Sequence, residues 1–355
     1  MSSISCQGAT SITMFAIFLC DKIAPALHQA IYERAALTIA RDIRVKLPDF
    51  SGNRSSLEVC ILKYLAEKEN FEYFQAYLNF PGDFMKSYIE KRVETYCLDK
   101  NWRLEKFLDD SLTHLYENIL SAVFQSTKIV KDRRDRNDKI SLWLDEFCKA
   151  LSEVLILPRS NLRSIEHQEI KDIDFLKNVM TEVLASLKDS LKEEFPDADM
   201  CMFKKHPHAI LAEQFSGCCN QCPFCGAVCT NTMPHHDGDH QLVFHRPQVL
   251  AGYRWYKTDN LVIDICSSSI VSSNSFRIDE NTWIPYKKYL DAGLPYSSWL
   301  ILPDTSMQAY WKWFVSHFRT DLENLHRGKF RGKGEIPASW QRITKQEALD
   351  ELTKL

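Results

Sequence analysis

Residues 218–245 read CCNQCPFCGAVCTNTMPHHDGDHQLVFH, and nothing else in the 355-residue chain restricts its folding as tightly. Cys222-Pro-Phe-Cys225-Gly226 is a zinc-knuckle pattern: two residues between cysteines let both thiolates reach one ion across a tight turn. The glycine after them permits the positive φ that turns backbone amides toward the sulfurs. Six of the twelve cysteines fall in residues 201–229, and six of the eleven histidines lie in residues 206–245. A disulfide scaffold would spread its cysteines along a smaller chain, whereas one cluster mixed with histidines points to a metal and a reducing compartment, cytosol or nucleus.

Tetrahedral zinc needs two ligands beyond the knuckle. The expected set is Cys222, Cys225, His236 and His240, with Cys229 and His245 as alternates; Cys222, Cys225, His240 and His245 satisfy the same spacing. Cys218 and Cys219 are spare thiols or a competing pair. Asp237 and Asp239 are either turn residues around Gly238 or acceptors for the free ring N–H of a ligand histidine. The metal expected is a structural Zn²⁺ rather than a catalytic one. The chain has no HExxH and no His-x-Glu placed upstream of the paired cysteines, so the general acid or base of the known zinc hydrolases and deaminases is missing.

Other chemistries have no motif. The nearest string to a phosphate-binding loop, GKFRGKG at residues 328–334, has the wrong glycine spacing, no Ser or Thr after its lysine, and a helix before it. It is expected to be a flexible basic loop, and GTP is not expected to bind this chain. Net charge is −3, divided as −5 over residues 1–200 and +2 over the rest. Neither part has the cationic excess of a nucleic-acid or lipid binder. Residues 12–20 (ITMFAIFLC) are apolar but too short to span a bilayer and lack a basic leader, so no membrane span is expected. Arg246 and Arg254 are expected in ion pairs or as anion ligands, and the late aromatics mainly as core.

Glycine divides the chain: three occur in residues 1–216 and eight in the remainder, where six of the eight tryptophans also lie. The expected fold is mainly α, a helical bundle or array followed by a smaller, zinc-stapled α+β domain. Residues 1–20 form an unmatched start, disordered or an apolar helix; residues 21–200 are helical; residues 201–355 form the Cys/His domain. Leu27, Ile31, Ala35 and Ile39 keep to one helix face. Ser55-x-x-Glu58 and Thr344-x-x-Glu347 have the form of capping boxes. Further amphipathic helices are expected at 84–97, 104–124, 140–155, 173–191 and 308–327, a solvated charged connection at 131–139, and a buried strand at 261–266.

The run from Cys222 through CSS at 266–268, then WIPYKKYLDAG, YWKWFVSHFRTDLE and GKGEIPASWQRITKQEAL, resembles the carboxy-terminal region of the interferon-induced very large GTPases. The helical part, including PDFSGNRSSLE, resembles the segment preceding it. The resemblance starts near Asp21, and the first 15 or so residues carry none, as an alternative start would. It implies a tail region of a large self-associating GTPase, an interferon-inducible innate-immune setting in cytoplasm or nucleus, and partners that include other family GTPases. Because no residue here matches the family's phosphate-binding loop, a non-catalytic structural or interaction module is expected. The alternatives are part of a GTP-hydrolysing protein, or a finger-like nucleic-acid binder.

Overall fold

The structure is a computed structural model. It describes residues 2–99, 101–133, 139–165, 170, 172–236, 238–242, 244–304 and 308–354, with side chains from residue 11 onward except at 101. Most of the charged connection, residues 134–138, lies outside these. The helices in chain order are α1 (Ser2–Lys46), α2 (Arg54–Lys68), α3 (Phe71–Asn79), α4 (Pro81–Leu98), α5 (Asn101–Asp132), α6 (Lys139–Leu151), α7 (Ile173–Glu193), α8 (Pro207–Gln214), α9 (Cys266–Ser269), α10 (Ala309–His317), α11 (Arg319–Leu325), α12 (Ala338–Gln341) and α13 (Lys345–Leu352). Among the described residues one antiparallel pair of strands forms, β1 (Ser275–Arg277) with β2 (Trp283–Pro285), Phe276 opposite Ile284. The protein is mainly α with a small mixed part.

The chain divides into two compact units. The first comprises residues 1–43 and 92–210, the second residues 44–91 and 211–355. The expected boundary near residue 200 therefore does not coincide with the division, because a block of early helix belongs with the late residues.

In the first unit the helical period seen in the sequence becomes burial. Leu104, Leu108, Leu112, Leu115 and Ile119 on α5 recur every three or four residues, and all are buried. Trp143 of α6 stacks on Phe147 at 5.0 Å and donates its indole N–H to Thr127 Oγ1 of α5 at 3.1 Å. Asp172 caps α7, accepting from the Phe175 amide at 2.9 Å. From Ser11 to Lys46, α1 is the helix among the described residues long and apolar enough to cross a membrane. Its stripe of Phe15, Leu19, Ile23, Leu27, Ile31, Ala35 and Ile39 is buried, Phe15 lying edge-on to Trp143.

The second unit is built on α2, α3, α10 and α13. The expected cap Ser55 is not the one used: Asn53 caps α2, accepting from the Ser56 amide at 3.1 Å, while Leu57, Ile61, Leu62 and Leu65 are buried as their spacing demands. Helix α3 has no counterpart in the sequence reading. Its Phe74 packs 4.5 Å from Phe314 and 5.3 Å from Phe318 (ring centroids). Tyr310 donates to the Leu62 carbonyl at 2.6 Å, and Lys345 pairs with Glu69 at 2.9 Å. The helix expected over 308–327 breaks at Phe318 into α10 and α11. Thr344 and Glu347 form the capping box that opens α13.

The basic loop 328–334 is held, not free. Lys329 pairs with Glu323 and Arg331 with Asp259, both at 2.7 Å, and the Leu261 amide donates to the Lys329 carbonyl. A side chain at Gly334 would sit 1.9 Å from the Leu261 carbonyl oxygen, so only glycine fits that approach. Residues 261–266 are buried, as expected, except for half-buried Asp264, but make isolated bridges (Arg254 with Leu261, Pro247 with Ile265) and no strand ladder.

Two outcomes are expected. Phe74→Ala or Phe314→Ala removes a fully buried ring and should cost about 3–5 kcal/mol in urea unfolding. His326 has its pKa lowered by burial, with Arg254 adding repulsion. The unfolded chain then takes up a proton near pH 6.5 that the folded chain refuses. Stability from this group is intact above that pH and falls below it, so His326→Gln should flatten the loss of urea midpoint between pH 7.5 and 5.5.

Candidate metal centre

The site starts from a hairpin. The Cys218 amide donates to the Asn231 carbonyl, the Cys229 amide to the Asn220 carbonyl, and the Cys222 amide to the Ala227 carbonyl, at 2.9, 2.9 and 2.8 Å. Gln221 and Val228 bridge between them. Cys222 and Cys225 therefore stand at the tip, and Cys218 and Cys229 at the base. The tip is closed by the Gly226 amide, which donates to the Cys222 carbonyl at 2.9 Å, with Gly226 at φ +69°. That is the left-handed residue the CPxCG pattern required.

The eight donor residues gather into two groups of four, and within each group the donor atoms all lie within 4.8 Å of one another. The first is Cys222, Cys225, His245 and Cys266, all buried. Cys225 Sγ lies 3.6 Å and Cys266 Sγ 2.8 Å from His245 Nδ1, and Cys222 Sγ lies 3.9 Å from Cys266 Sγ. The second is Cys218, Cys229, His236 and His240. His240 Nδ1 is 3.4 Å from Cys218 Sγ and 3.0 Å from His236 Nε2, which is 3.7 Å from Cys229 Sγ. A tetrahedral zinc with ordinary bond lengths would set S···S at about 3.8 Å, S···N at about 3.6 Å and N···N at about 3.4 Å. Apart from the 2.8 Å between Cys266 Sγ and His245 Nδ1, these distances lie within about 0.4 Å of those separations.

The set expected from spacing is thus divided. Cys222 and Cys225 face His245, one of the alternates, and not His236 or His240; those two histidines face Cys229, the other alternate. Two donors were not in the expected set at all. Cys218 was set aside as a spare thiol or half of a pair with Cys219, which is exposed and outside both groups. Cys266, 21 residues beyond His245, belongs to the expected buried strand by its sequence; in the structure it opens the one-turn helix α9. The signal available was arithmetic: nine cysteines and histidines in residues 218–245 exceed what one ion can use. Asp239 is exposed, and Asp237 lies outside the described residues.

Among the described residues Arg246 makes no ion pair with a carboxylate, the arrangement expected for it. It is buried, donating Nε–H to the Cys225 carbonyl at 2.9 Å and a terminal N–H to the Gly226 carbonyl at 2.7 Å, its guanidinium over Trp311. Tyr253 donates to the Pro223 carbonyl at 2.7 Å. Between them, these side chains satisfy the carbonyls that the knuckle turn leaves unpaired. Phe224, fully buried, anchors the tip from below, with Phe276, Tyr286 and Tyr296 within 5.1 Å.

Burial pushes the Cys222 and Cys266 thiols well above the ordinary cysteine range. Burial acts the same way on Cys225, but hydrogen bonds from Cys222, Cys266 and His245 overcome it and hold that thiol well below the range. One thiolate is thus stabilised by its neighbours, while three together would need a cation. In the second group burial raises Cys229, and it lowers His240, with His236 acting in the same direction and Asp239 opposing. No disulfide joins two of the described cysteines.

Residues 218–352 match a family model described as "Interferon-induced very large GTPase 1, C-terminal domain". Over 352 residues the chain is 44% identical to interferon-induced very large GTPase 1 of Mus musculus and, equally, to that of Homo sapiens. Over nearly its whole length the chain resembles these relatives, and residues 218–352 resemble the family's carboxy-terminal domain. Each alignment takes in 99% of this chain, including the start for which the sequence alone gave no resemblance, and 14% of the relative. No solved structure matches. Both donor groups lie wholly inside the segment matched to this family's C-terminal domain.

Arg246→Ala should destabilise the second unit by about 3 kcal/mol, since two charge-assisted bonds to buried carbonyls are lost. Arg246→Lys should recover part of this. Thermal unfolding of both variants against Cys219→Ser, expected to be silent, checks the assignment.

Proposed function

We propose that this region is a non-catalytic interaction module, folded around a structural zinc held by Cys222, Cys225, His245 and Cys266. The observation that carries the reading is the convergence of three thiols and an imidazole, all buried, with donor atoms within 4.8 Å of one another. Three sulfurs and one nitrogen suit zinc better than magnesium or calcium, which take oxygen ligands. With four protein donors the coordination is complete, leaving no position for water or substrate, as in structural rather than catalytic sites. The bound cluster carries one net negative charge, and the buried Arg246 guanidinium, on the residue that follows His245, offsets it. The buried, unbridged thiols of the two donor groups support a reducing compartment, cytoplasm or nucleus. In this reading the module serves association, with further copies or with other GTPases of the family, and GTP is handled elsewhere. The word GTPase in the relatives' names belongs to proteins about seven times longer than this chain.

Metal analysis of the full chain, purified without added metal, should find zinc, and a strong chelator should lower the unfolding temperature. Cys225→Ser or Cys266→Ser should abolish occupancy of this site. No bound metal together with indifference to chelation would sink the proposal. Titration with labelled GTP should give no binding; micromolar binding would overturn the non-catalytic assignment.

A further inference from the structure

The second group of donors has no part in that reading, and it is built as carefully as the first. Cys218 and Cys229 lie on opposite arms of the hairpin, fixed by the reciprocal backbone bonds to Asn231 and Asn220. The same two asparagines direct N–H groups at the sulfurs: Asn220 Nδ2 donates to Cys218 Sγ at 3.4 Å, and the Asn231 amide to Cys229 Sγ at 3.5 Å. His240 is held from outside the hairpin. Its amide donates to the Ser298 carbonyl at 2.7 Å, its carbonyl accepts from the Leu300 amide at 2.8 Å, and its ring lies 5.4 Å from that of buried Trp299. His236 reaches the same point from four residues upstream, across a turn containing Gly238 at φ +119°.

Without a cation the arrangement is poor. Two imidazole nitrogens face one another at 3.0 Å and can share one proton, while each sulfur also looks toward a ring nitrogen. With a cation at the centre, all four atoms are ligands. We propose that Cys218, Cys229, His236 and His240 bind a second divalent ion of the zinc class, separate from the knuckle ion. Two thiolates cancel its charge, so this site needs no counterpart to Arg246. Sulfur and imidazole donors in equal number exclude the oxygen-seeking ions.

The two sites divide the labour. The knuckle ion joins the hairpin tip to His245 and Cys266 within the core. The second ion joins the hairpin base to the surface stretch around 232–239, most of which is exposed. Its histidines are only partly buried, so it should exchange first. Loss of this ion would free that surface stretch and leave the knuckle folded, making the exposed face of the module dependent on available zinc.

Mass-spectrometric metal analysis of the full chain should give two zinc ions, released by chelator in two phases. The double variant His236→Ala/His240→Ala should hold one ion, lose the fast phase and keep its far-UV circular dichroism. With cobalt(II) in place of zinc, that variant should lose two of the five thiolate–cobalt bonds, and with them about two fifths of the charge-transfer absorbance. Cys218→Ser should lose the same ion, and with it the same two thiolate bonds. If the natural chain holds one ion, lost on Cys225→Ser and kept by the histidine variant, the second site is wrong and the knuckle stands. If one ion is held and lost only with the histidines, the knuckle reading fails and this site stands. Two ions kept by the histidine variant, or no ion at all, overturn the second site. Should the histidine variant misfold, single-phase release from the natural protein would overturn it equally.

Discussion

Everything between α8 and α10 depends on bringing thiols and imidazoles from four separate stretches to common points. That part of the second unit has little else to hold it: two three-residue strands, isolated bridges and helical turns no longer than seven residues. Such a segment fixes many backbone torsions for few cooperative hydrogen bonds, and each ordered residue costs roughly 1–2 kcal/mol in conformational entropy. Buried thiols alone return little, because S–H groups make weak bonds. A structural zinc contributes on the order of 10 kcal/mol, comparable to the whole net stability of an ordinary domain. The aromatic floor of Phe224, Phe276, Tyr286 and Trp299 adds burial, but its rings come from the same loops and cannot align until those loops are tied.

The hairpin makes the two donor groups interdependent in geometry while keeping them separate in chemistry. Its tip presents one pair of cysteines and its base another, and the Gln221–Val228 bridge stands between. Histidines then enter in chain order, the base taking His236 and His240 and the tip taking His245. A register slip along the hairpin would misalign both pairs at once, so the bridge and the three backbone bonds around it specify both groups together. Arg246 follows His245 directly, which lets one turn of chain deliver both a donor and the cation that caps the knuckle's carbonyls.

Much of the helical architecture was legible because it rests on local periodicity. The stripes of α1, α5 and α7 recur at three and four residues, and each proved buried. The capping box of α13 was legible for the same reason, since its two partners are three residues apart. Helix α3 was not. It is nine residues long, held between Asn70 and Pro81, and too short for the pattern to stand out from its aromatic content. Nor could the sequence show that residues 44–91 group with 211–355, because that grouping rests on Phe74 against Phe314 and Tyr310 against Leu62, contacts with no local signature.

The donors follow the same rule from the other side. The presence of a Cys/His cluster was plain from composition and the CPxCG turn, but partner choice is tertiary. Cys222 and Cys225 are close in sequence to His236, yet their partners are His245 and a cysteine 41 residues beyond Cys225. Spacing rules work where both ligands of a pair share one turn, as the knuckle cysteines do. They fail where a hairpin sends alternate pairs to opposite ends, because separation along the chain then stops tracking separation in space. Cys266 illustrates the cost: inside LVIDIC it has the look of one more apolar residue in a buried run, and burial is what it has. What distinguishes it is the three buried donors that face its sulfur, and those only the folded hairpin supplies.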